Sequence, residues 1–256
     1  MSTATLAVAR DGAVLRVTLT RPERRNAFDA SLIAELTSAF ADVGDARAVV
    51  LSGEGPSFCA GADVEWMRAS ADLSYEENVA DAMRLRAMLE AVDGCPAPVV
   101  ARVQGHALGG GCGLAACCDV VVAAEDAVFA FSEVKLGVVP AVISPFALAR
   151  IGPGAARRYF LTGERFDAAT ALRIGLASEV MPEGELDLGV DRIVGELVSA
   201  GPEAVRAAKR LVLDAPLSAE ETARRIAERR TSVEGQEGLR AFLERREPSW
   251  RSPAGH

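Results

Sequence analysis

The segment that most constrains this chain runs from Gln104 to Asp119 and reads QGHALGGGCGLAACCD. Three consecutive glycines cost backbone entropy on folding, so they are tolerated mainly where the backbone must approach another group closely or adopt a positive φ. A short buried strand is predicted just before this segment, and small residues follow the glycines. The pattern therefore predicts a turn into a short helix, at a place where a packing partner or a ligand comes close.

The rest of the chain divides into an alternating part and a helical part. β-forming residues on both sides of Asp11-Gly12 predict a hairpin of residues 5–10 and 14–20. Further strands are predicted at 48–52, 99–103, 120–124 and 128–131. Because these strands alternate with helical segments to about residue 135, we expect a parallel sheet covered by helices.

Beyond about residue 140 the pattern is helical. Helix starts, here and earlier in the chain, are predicted at the capping residues Asp29, Ser74, Ser144 and Ser218. The last helices are predicted at 219–233 and 238–245. They are rich in charge, and their apolar faces exceed what one small layer could bury, so we expect them to pack on the core and on a neighbouring subunit.

Composition excludes several classes of protein. Of the 256 residues half are apolar and a quarter are charged, which is typical of a soluble globular chain. There is no apolar run long enough to span a membrane and no signal-peptide pattern, so we expect a cytoplasmic protein with no membrane partner. A net charge of −8 argues against a nucleic-acid partner.

The five cysteines do not predict a metal site. None forms a C-x-x-C pair, and the three in the glycine-rich segment have only His106 as a nearby imidazole. We therefore expect no bound metal, five buried free thiols and a structural role for His106.

Three interpretations of the glycines can be compared. Gly111, Gly113 and Ala116 fit the dinucleotide pattern G-x-G-x-x-A. The next strand begins at about Val120, which leaves too few residues for a crossover helix, so dinucleotide binding is disfavoured. Two interpretations remain: the glycines permit close helix packing, or they present backbone N–H groups to an oxyanion.

A second loop, FCAGAD from Phe58 to Asp63, is built in the same way, with small residues between a strand and a helix start. Two such loops could converge on one carbonyl oxygen and hold the negative charge of an enolate. This pairing favours the oxyanion interpretation.

Four segments carry a resemblance to a known family: RPERRNAFD, GEGPSFCAGADVEWM, QGHALGGGCGLAACCDVVVAAEDAVFAFSEVKLGVVPA and AARRYFLTGERFDAATALRIGLASEV. Through them the chain resembles the crotonase (enoyl-CoA hydratase/isomerase) family over essentially its whole length. GGGCGLAACCD and SEVKLGVVPAVISPF are most similar in pattern to the methylglutaconyl-CoA hydratase-like branch.

The resemblance implies an α/β fold of the ClpP/crotonase type, with repeated ββα units and a helical C-terminal region. Residues 1–195 would form the core with the acyl-CoA site, and residues 196–256 a trimerisation region. The implied assembly is a homotrimer or a dimer of trimers. Coenzyme A would enter as part of the thioester substrate, with no permanently bound cofactor.

Positions matched to the family's motifs imply individual roles. Ala62 and Gly110 would supply the two oxyanion N–H donors, and Glu133 would be the catalytic carboxylate. Coenzyme A would be contacted by Arg24, Arg25, Ala27, Cys59, Ala60, Gly61, Asp63 and, from a neighbouring subunit, Arg245. The acyl pocket would be bordered by Trp66, Met67, Gly113, Val139 and Pro140.

One position departs from the hydratase pattern, because the family's second glutamate would fall at Gly113. Only one of the two carboxylates that jointly hold water is therefore present. The leading hypothesis is a hydratase for an α,β-unsaturated acyl-CoA, with a branched or glutaconyl-type acyl group. A Δ3,Δ2-enoyl-CoA isomerase, which needs a single base, and a non-catalytic CoA-ester binder remain as alternatives. Asp119 is expected to anchor the strand that follows it.

Overall fold

The structure is a computed structural model that describes residues 5–251. Within that range the strands are β1 (Leu6–Asp11), β2 (Val14–Leu19), β3 (Ala48–Gly53), β4 (Val99–Val103), β5 (His106–Leu108), β6 (Val120–Ala124), β7 (Val128–Ala130), β8 (Phe166–Asp167) and β9 (Glu179–Met181). The α-helices of the same range are α1 (Ala30–Ala41), α2 (Val64–Ser70), α3 (Tyr75–Asp93), α4 (Gly110–Cys117), α5 (Ser144–Thr162), α6 (Ala168–Arg173), α7 (Leu186–Ser199), α8 (Pro202–Leu213), α9 (Ala219–Thr231) and α10 (Val233–Glu244).

The larger sheet has the strand order β1-β2-β3-β4-β6-β9. The hairpin β1-β2 is antiparallel, as predicted, and every other neighbouring pair in this sheet is parallel. Its central strands β3, β4 and β6 are largely apolar, with Arg102 the charged residue in β4, and most of their residues are buried, as is typical of strands in a parallel sheet. The α/β architecture predicted from the alternation of strands and helices is confirmed.

The smaller sheet, of order β5-β7-β8, was not predicted. Strand β5 lies inside the glycine-rich segment, between Gly105 and Gly109, and is too short for its alternation to be recognised. It pairs in parallel with β7, so the predicted strand 128–131 belongs to this second sheet and ends at Ala130.

The smaller sheet brings the two glycine-containing loops together. The N–H of Cys59 donates to the carbonyl of His106 at 3.0 Å, and the N–H of Leu108 donates to the carbonyl of Cys59 at 3.0 Å. The loop before α2 and the turn before α4 therefore run side by side.

Three of the predicted helix caps are confirmed. The Asp29 carboxylate accepts from the N–H of Leu32 at 2.8 Å, Ser74 and Glu77 form a capping box, and the Ser218 hydroxyl accepts from the N–H of Glu221 at 3.1 Å. These contacts satisfy N–H groups that have no partner inside their own helices.

The prediction that Ser144 caps α5 is wrong. The capping residue is Ile143, and the Ser144 hydroxyl donates to the carbonyl of Ala141 at 2.8 Å instead of accepting from the helix. The helix also bends at Gly152, where φ is 66°, immediately before Pro153.

The predicted ends of the last two helices are also wrong. Ser232 closes α9 after Thr231, and its hydroxyl accepts from the N–H of Gly235 at 3.0 Å, which starts α10 at Val233. One capping serine thus ends one helix and begins the next, where the apolar pattern predicted a later start at Gly238.

Asp119 anchors a different strand from the one predicted. Its Oδ2 accepts from the N–H of Val99, at the start of β4, at 2.7 Å. The same oxygen lies 2.7 Å from Nζ of Lys209 on α8, a side chain that is 5% exposed. The pair therefore fixes a C-terminal helix to the central sheet.

The described residues also bear on the predictions about cysteines, metal sites and membrane spans. All five cysteines are buried and free, as predicted. Within residues 5–251 no group of three or more His, Cys, Asp or Glu side chains could hold a metal ion. In the same part of the chain, no helix combines the length and apolar character needed to cross a membrane.

Candidate active site

A cavity of about 150 Å³ lies where the loop before α2, the start of α4 and the segment before α5 meet. It is lined by Phe28, Ala62, Trp66, Leu85, Gly110, Glu133, Val139, Pro140, Ala141, Val142 and Ile143. Six residues predicted from the sequence thus surround one cavity: Ala62, Trp66, Gly110, Glu133, Val139 and Pro140. Larger surface grooves, of about 510 and 620 Å³, lie among the C-terminal helices and hold none of the predicted site residues.

The first wall of the cavity is backbone. Phe28 donates to the carbonyl of Gly61 at 2.7 Å and accepts from the N–H of Asp63 at 2.8 Å, which fixes the peptide of Ala62 between them. Gly110 is the first residue of α4, where an N–H has no acceptor within its own helix. Neither the Ala62 nor the Gly110 N–H donates to a protein group in the described range, residues 5–251.

The two N–H groups belong to loops that touch through their backbones. A Cβ atom at Gly61 would lie 2.7 Å from the carbonyl oxygen of Leu108 and 3.7 Å from the nitrogen of Gly110. A Cβ atom at Gly111 would lie 2.1 Å from the carbonyl oxygen of Cys59. Gly61 and Gly111 therefore allow the two loops to pack closely, whereas Gly110 has a backbone N–H without a protein acceptor in the described range.

Glu133 forms the second wall, at the start of a 3-10 helix that runs from Glu133 to Leu136. Its Oε2 is buried and has no hydrogen-bond partner among the described residues. Its Oε1 lies close to the turn, since a Cβ atom at Gly109 would be 3.3 Å away. Burial raises the pKa of the Glu133 carboxyl above its ordinary value. A buried carboxylate oxygen without a partner is rare in native structures and is typical of a site that receives a ligand.

The third wall is apolar and includes Ile143, which packs against Gly113, the position of the expected second acid. A Cβ atom at Gly113 would lie 2.3 Å from Cγ2 and 2.6 Å from Cβ of Ile143. The Ile143 side chain is 2% exposed and lines the cavity. Gly113 therefore lies behind the cavity wall, and Ile143 fills the space next to it.

A partly buried arginine, to which the sequence assigned no role, holds the loops in place. Arg21 donates to the carbonyl of Ala27 at 2.7 Å, and its guanidinium lies 2.9 Å from the Asp29 carboxylate and 3.3 Å from that of Asp63. Those carboxylates cap α1 and α2, and the Arg21 side chain is 14% exposed. Arg21 is the first arginine of RPERRN, whereas the family resemblance implied roles only for Arg24 and Arg25, which follow it.

The remaining predicted residues lie outside the cavity. Arg24 is exposed and pairs with Glu65 at 3.2 Å. Arg25 is also exposed, with a left-handed φ of 51° and a carbonyl that accepts from the N–H of Ala60 at 2.9 Å. Arg245 is exposed at the end of α10. Met67 is 36% exposed and does not line the cavity, unlike the prediction. Five lining residues were missed: Phe28, Leu85, Ala141, Val142 and Ile143.

Comparisons with known proteins match nearly the whole chain. A family model described as "Enoyl-CoA hydratase/isomerase" matches residues 9–253. A Thermus thermophilus protein, provisionally named an enoyl-CoA hydratase, is 35% identical over 93% of this chain and 97% of its own. The crotonyl-CoA hydratase of Syntrophomonas wolfei is 34% identical over 91% of this chain and 92% of its own. The crystal structure of an enoyl-CoA hydratase from Shewanella pealeana superposes with a TM-score of 0.91, at 39% identity and with 96% of each chain covered.

Proposed function

The chain belongs to the enoyl-CoA hydratase/isomerase family, and on that premise we propose that it is a hydratase that adds water reversibly to an α,β-unsaturated acyl-CoA. Its fold is the predicted crotonase fold. The acyl group in this proposal is short and either branched or of the glutaconyl type.

The observation that carries the proposal is the position of Glu133. Glu133, whose Oε2 is buried and unpartnered, lines the same small cavity as Ala62 and Gly110, and the backbone N–H groups of these two residues donate to no protein group within residues 5–251. Hydrogen bonds from both N–H groups to the thioester oxygen would be strongest when that oxygen becomes an enolate oxyanion. They would therefore favour the transition state over the bound substrate.

The proposed reaction moves one proton through one carboxylate. As the oxygen of water forms a bond to C3, the Glu133 carboxylate takes a proton from that water and the double-bond electrons move onto the thioester oxygen. When the carbonyl reforms, the protonated Glu133 gives the proton to C2. The product is a 3-hydroxyacyl-CoA, and Glu133 is again a carboxylate.

Coenzyme A would lie outside the cavity, along the surface next to the loop before α2. Arg24 and Arg25 would meet its phosphates, with Arg245 of a neighbouring subunit, while Ala27, Cys59, Ala60, Gly61 and Asp63 form the loops that it contacts. Guanidinium groups suit this role because they bind phosphate oxygens in a bidentate manner. In this way an acidic protein can bind a polyanionic carrier locally.

A homotrimer, or a dimer of trimers built through residues 196–256, is part of the same proposal. The C-terminal helices expose large apolar side chains: Val212 is 77%, Val233 90%, Phe242 80% and Leu243 78% exposed. Exposed apolar area of this kind favours association with another subunit. Light scattering after size-exclusion chromatography tests the assembly, and a monomer at micromolar concentration would contradict it.

An activity panel in isotopically labelled water tests the reaction. The purified protein is incubated in ¹⁸O-labelled water with crotonyl-CoA, a branched 2-enoyl-CoA, glutaconyl-CoA and a 3-enoyl-CoA. The masses of the products are then measured by mass spectrometry. A hydratase incorporates one solvent oxygen into a 3-hydroxyacyl product. If none of the 2-enoyl esters in the panel is hydrated, the proposal is wrong.

A second candidate is the Δ3,Δ2-enoyl-CoA isomerase. It is favoured because position 113 holds glycine in place of the second acid, and the apolar Ile143 side chain fills the space beside it. A single carboxylate can carry a proton from C2 to C4 without water. This candidate predicts conversion of the 3-enoyl ester to the 2-enoyl ester with no ¹⁸O in the product. Binding of CoA esters without any turnover in the panel would indicate a non-catalytic binder instead.

A further inference from the structure

We infer that Ile143 is the specificity-determining residue of the acyl cavity and that, with Gly113, it selects an acyl group with an apolar end over one that ends in a carboxylate. The inference rests on the proposed function in one respect, namely that the acyl part of a CoA thioester enters this cavity. It chooses between the branched and the glutaconyl-type acyl groups.

Gly113 and Ile143 fit each other as a pair. The three atoms nearest to a Cβ at Gly113 are all in the Ile143 side chain, at 2.3, 2.6 and 3.4 Å. Real Cβ atoms essentially never come within 3.0 Å of a non-bonded heavy atom, so a side chain at 113 and the isoleucine at 143 cannot both occupy these positions unless one of them shifts. The residue at 143 therefore decides whether the cavity wall opposite the acyl group is apolar or can carry a second acid from α4.

The chosen wall is apolar. Apart from Glu133, the side chains that line the cavity are hydrocarbon or indole groups, and they include Phe28, Trp66, Leu85 and the run from Val139 to Ile143. No arginine, lysine or histidine is among the lining residues, all of which lie in the described part of the chain. An acyl carboxylate placed here would lose its hydration without gaining a cation.

Glu133 adds a second penalty for such a substrate. The carboxylate at the end of such an acyl group would lie in a small space next to the buried Glu133 carboxylate. Keeping two neighbouring carboxylates ionised costs free energy, because their negative charges repel each other. A branched hydrocarbon end meets no such cost, and burying it is favourable.

The size of the cavity limits the acyl group further. Its volume is about 150 Å³. An apolar cavity of about 150 Å³ holds a benzene-sized group in a well-studied case. We therefore assign to the site a short 2-enoyl thioester with an uncharged hydrocarbon end.

Binding of saturated acyl-CoA esters tests this assignment without needing turnover. Pentanoyl-CoA and glutaryl-CoA form a matched pair, since a terminal methyl group in the first is a carboxylate in the second. Isothermal titration calorimetry with the full chain should show pentanoyl-CoA binding at least about tenfold more tightly than glutaryl-CoA. Equal affinity, or tighter binding of glutaryl-CoA, would overturn the assignment.

The role of Ile143 is tested by a pair of variants, one at Ile143, which caps α5, and one at Ile151, within α5. I143A enlarges the cavity, and I151A removes the same atoms from a buried residue of α5 that does not line the cavity. I143A should shift the affinity ratio of phenylacetyl-CoA to pentanoyl-CoA by about tenfold towards the bulkier ester, and I151A should leave that ratio unchanged. If I143A does not fold, I143V and I151V carry the same comparison with a smaller shift.

The outcomes separate the two proposals. If none of the CoA esters binds, the proposed function fails and this inference fails with it. If the esters bind but the ratio is unchanged in the Ile143 variant, or changes equally in the Ile151 variant, only the role of Ile143 fails.

Discussion

Replacing Gly113 with alanine is a small change with a large expected effect. The new Cβ would lie 2.3 Å from Cγ2 and 2.6 Å from Cβ of Ile143. The second of these atoms is attached directly to the backbone, so a rotamer change at Ile143 cannot relieve the contact. Either the N-terminal end of α5 or helix α4 has to move.

The magnitude follows from two opposing contributions. Alanine in place of a helical glycine stabilises a helix by about 1 kcal/mol. Overpacking a buried site costs typically about 1–3 kcal/mol, and contacts this short belong to the upper part of that range. We expect G113A to be destabilised by about 1–2 kcal/mol, which lowers the midpoint of thermal unfolding by roughly 2–8 °C.

A control and a rescue make the experiment specific. G195A changes a glycine of α7 that has no neighbouring atom within 4 Å of the new Cβ, so it should be neutral or stabilising. I143G removes all three atoms that a side chain at 113 would meet. The loss of unfolding free energy in the double variant G113A/I143G should therefore be smaller, by about 1–3 kcal/mol, than the sum of the losses in the two single variants. Urea unfolding followed by circular dichroism measures each value. A coupling below about 0.5 kcal/mol would refute the argument.

Two further predictions concern Arg21 and Glu133. R21M leaves the Asp29 and Asp63 carboxylates without their cation, so the free energy of unfolding should fall by about 2–4 kcal/mol; R21K should lose less, and an unchanged urea midpoint for R21M would contradict the network. Burial raises the pKa of Glu133 in the folded state, so its contribution to stability is present below its ordinary pKa of 4.5 and is lost as the pH rises through the raised value. Wild type should therefore gain stability relative to E133Q when the pH is lowered from neutrality to below 4.5, and a difference that does not vary with pH would rule out the buried carboxylate.

Much of the fold was predictable from local chemistry. The Asp11-Gly12 turn specified the hairpin, and the capping residues Asp29, Ser74 and Ser218 specified three helix starts. Each of these signals acts within a few residues of the chain, which is why the sequence alone is sufficient to find them.

Two features were missed because contacts outside the local sequence pattern decide them. Strand β5 exists because Cys59 and β7 supply hydrogen-bond partners, and a three-residue strand has no periodicity of its own. The inward position of Arg21 depends on two helix caps, Asp29 in the next segment and Asp63, which lies 42 residues along the chain. Local patterns cannot reveal either relationship.

The cavity shows the same division. Motif positions predicted Ala62, Gly110 and Glu133, whose meeting around one cavity depends on the two loops lying side by side. The glycine at 113 was recognised from the sequence as a departure from the hydratase pattern, but its partner Ile143 was not, because their contact is between α4 and the start of α5. The identity of the residue that fills the missing acid's place required the structure.

The most direct test of the central claim compares turnover with binding in E133Q. If Glu133 carries the proton, hydration of a branched 2-enoyl-CoA should fall by about 10²–10⁴-fold, while the affinity for the saturated CoA ester stays within about twofold of wild type. E125Q, which changes an exposed glutamate, is the matched control and should retain full activity. Turnover by E133Q at the wild-type rate would contradict the account.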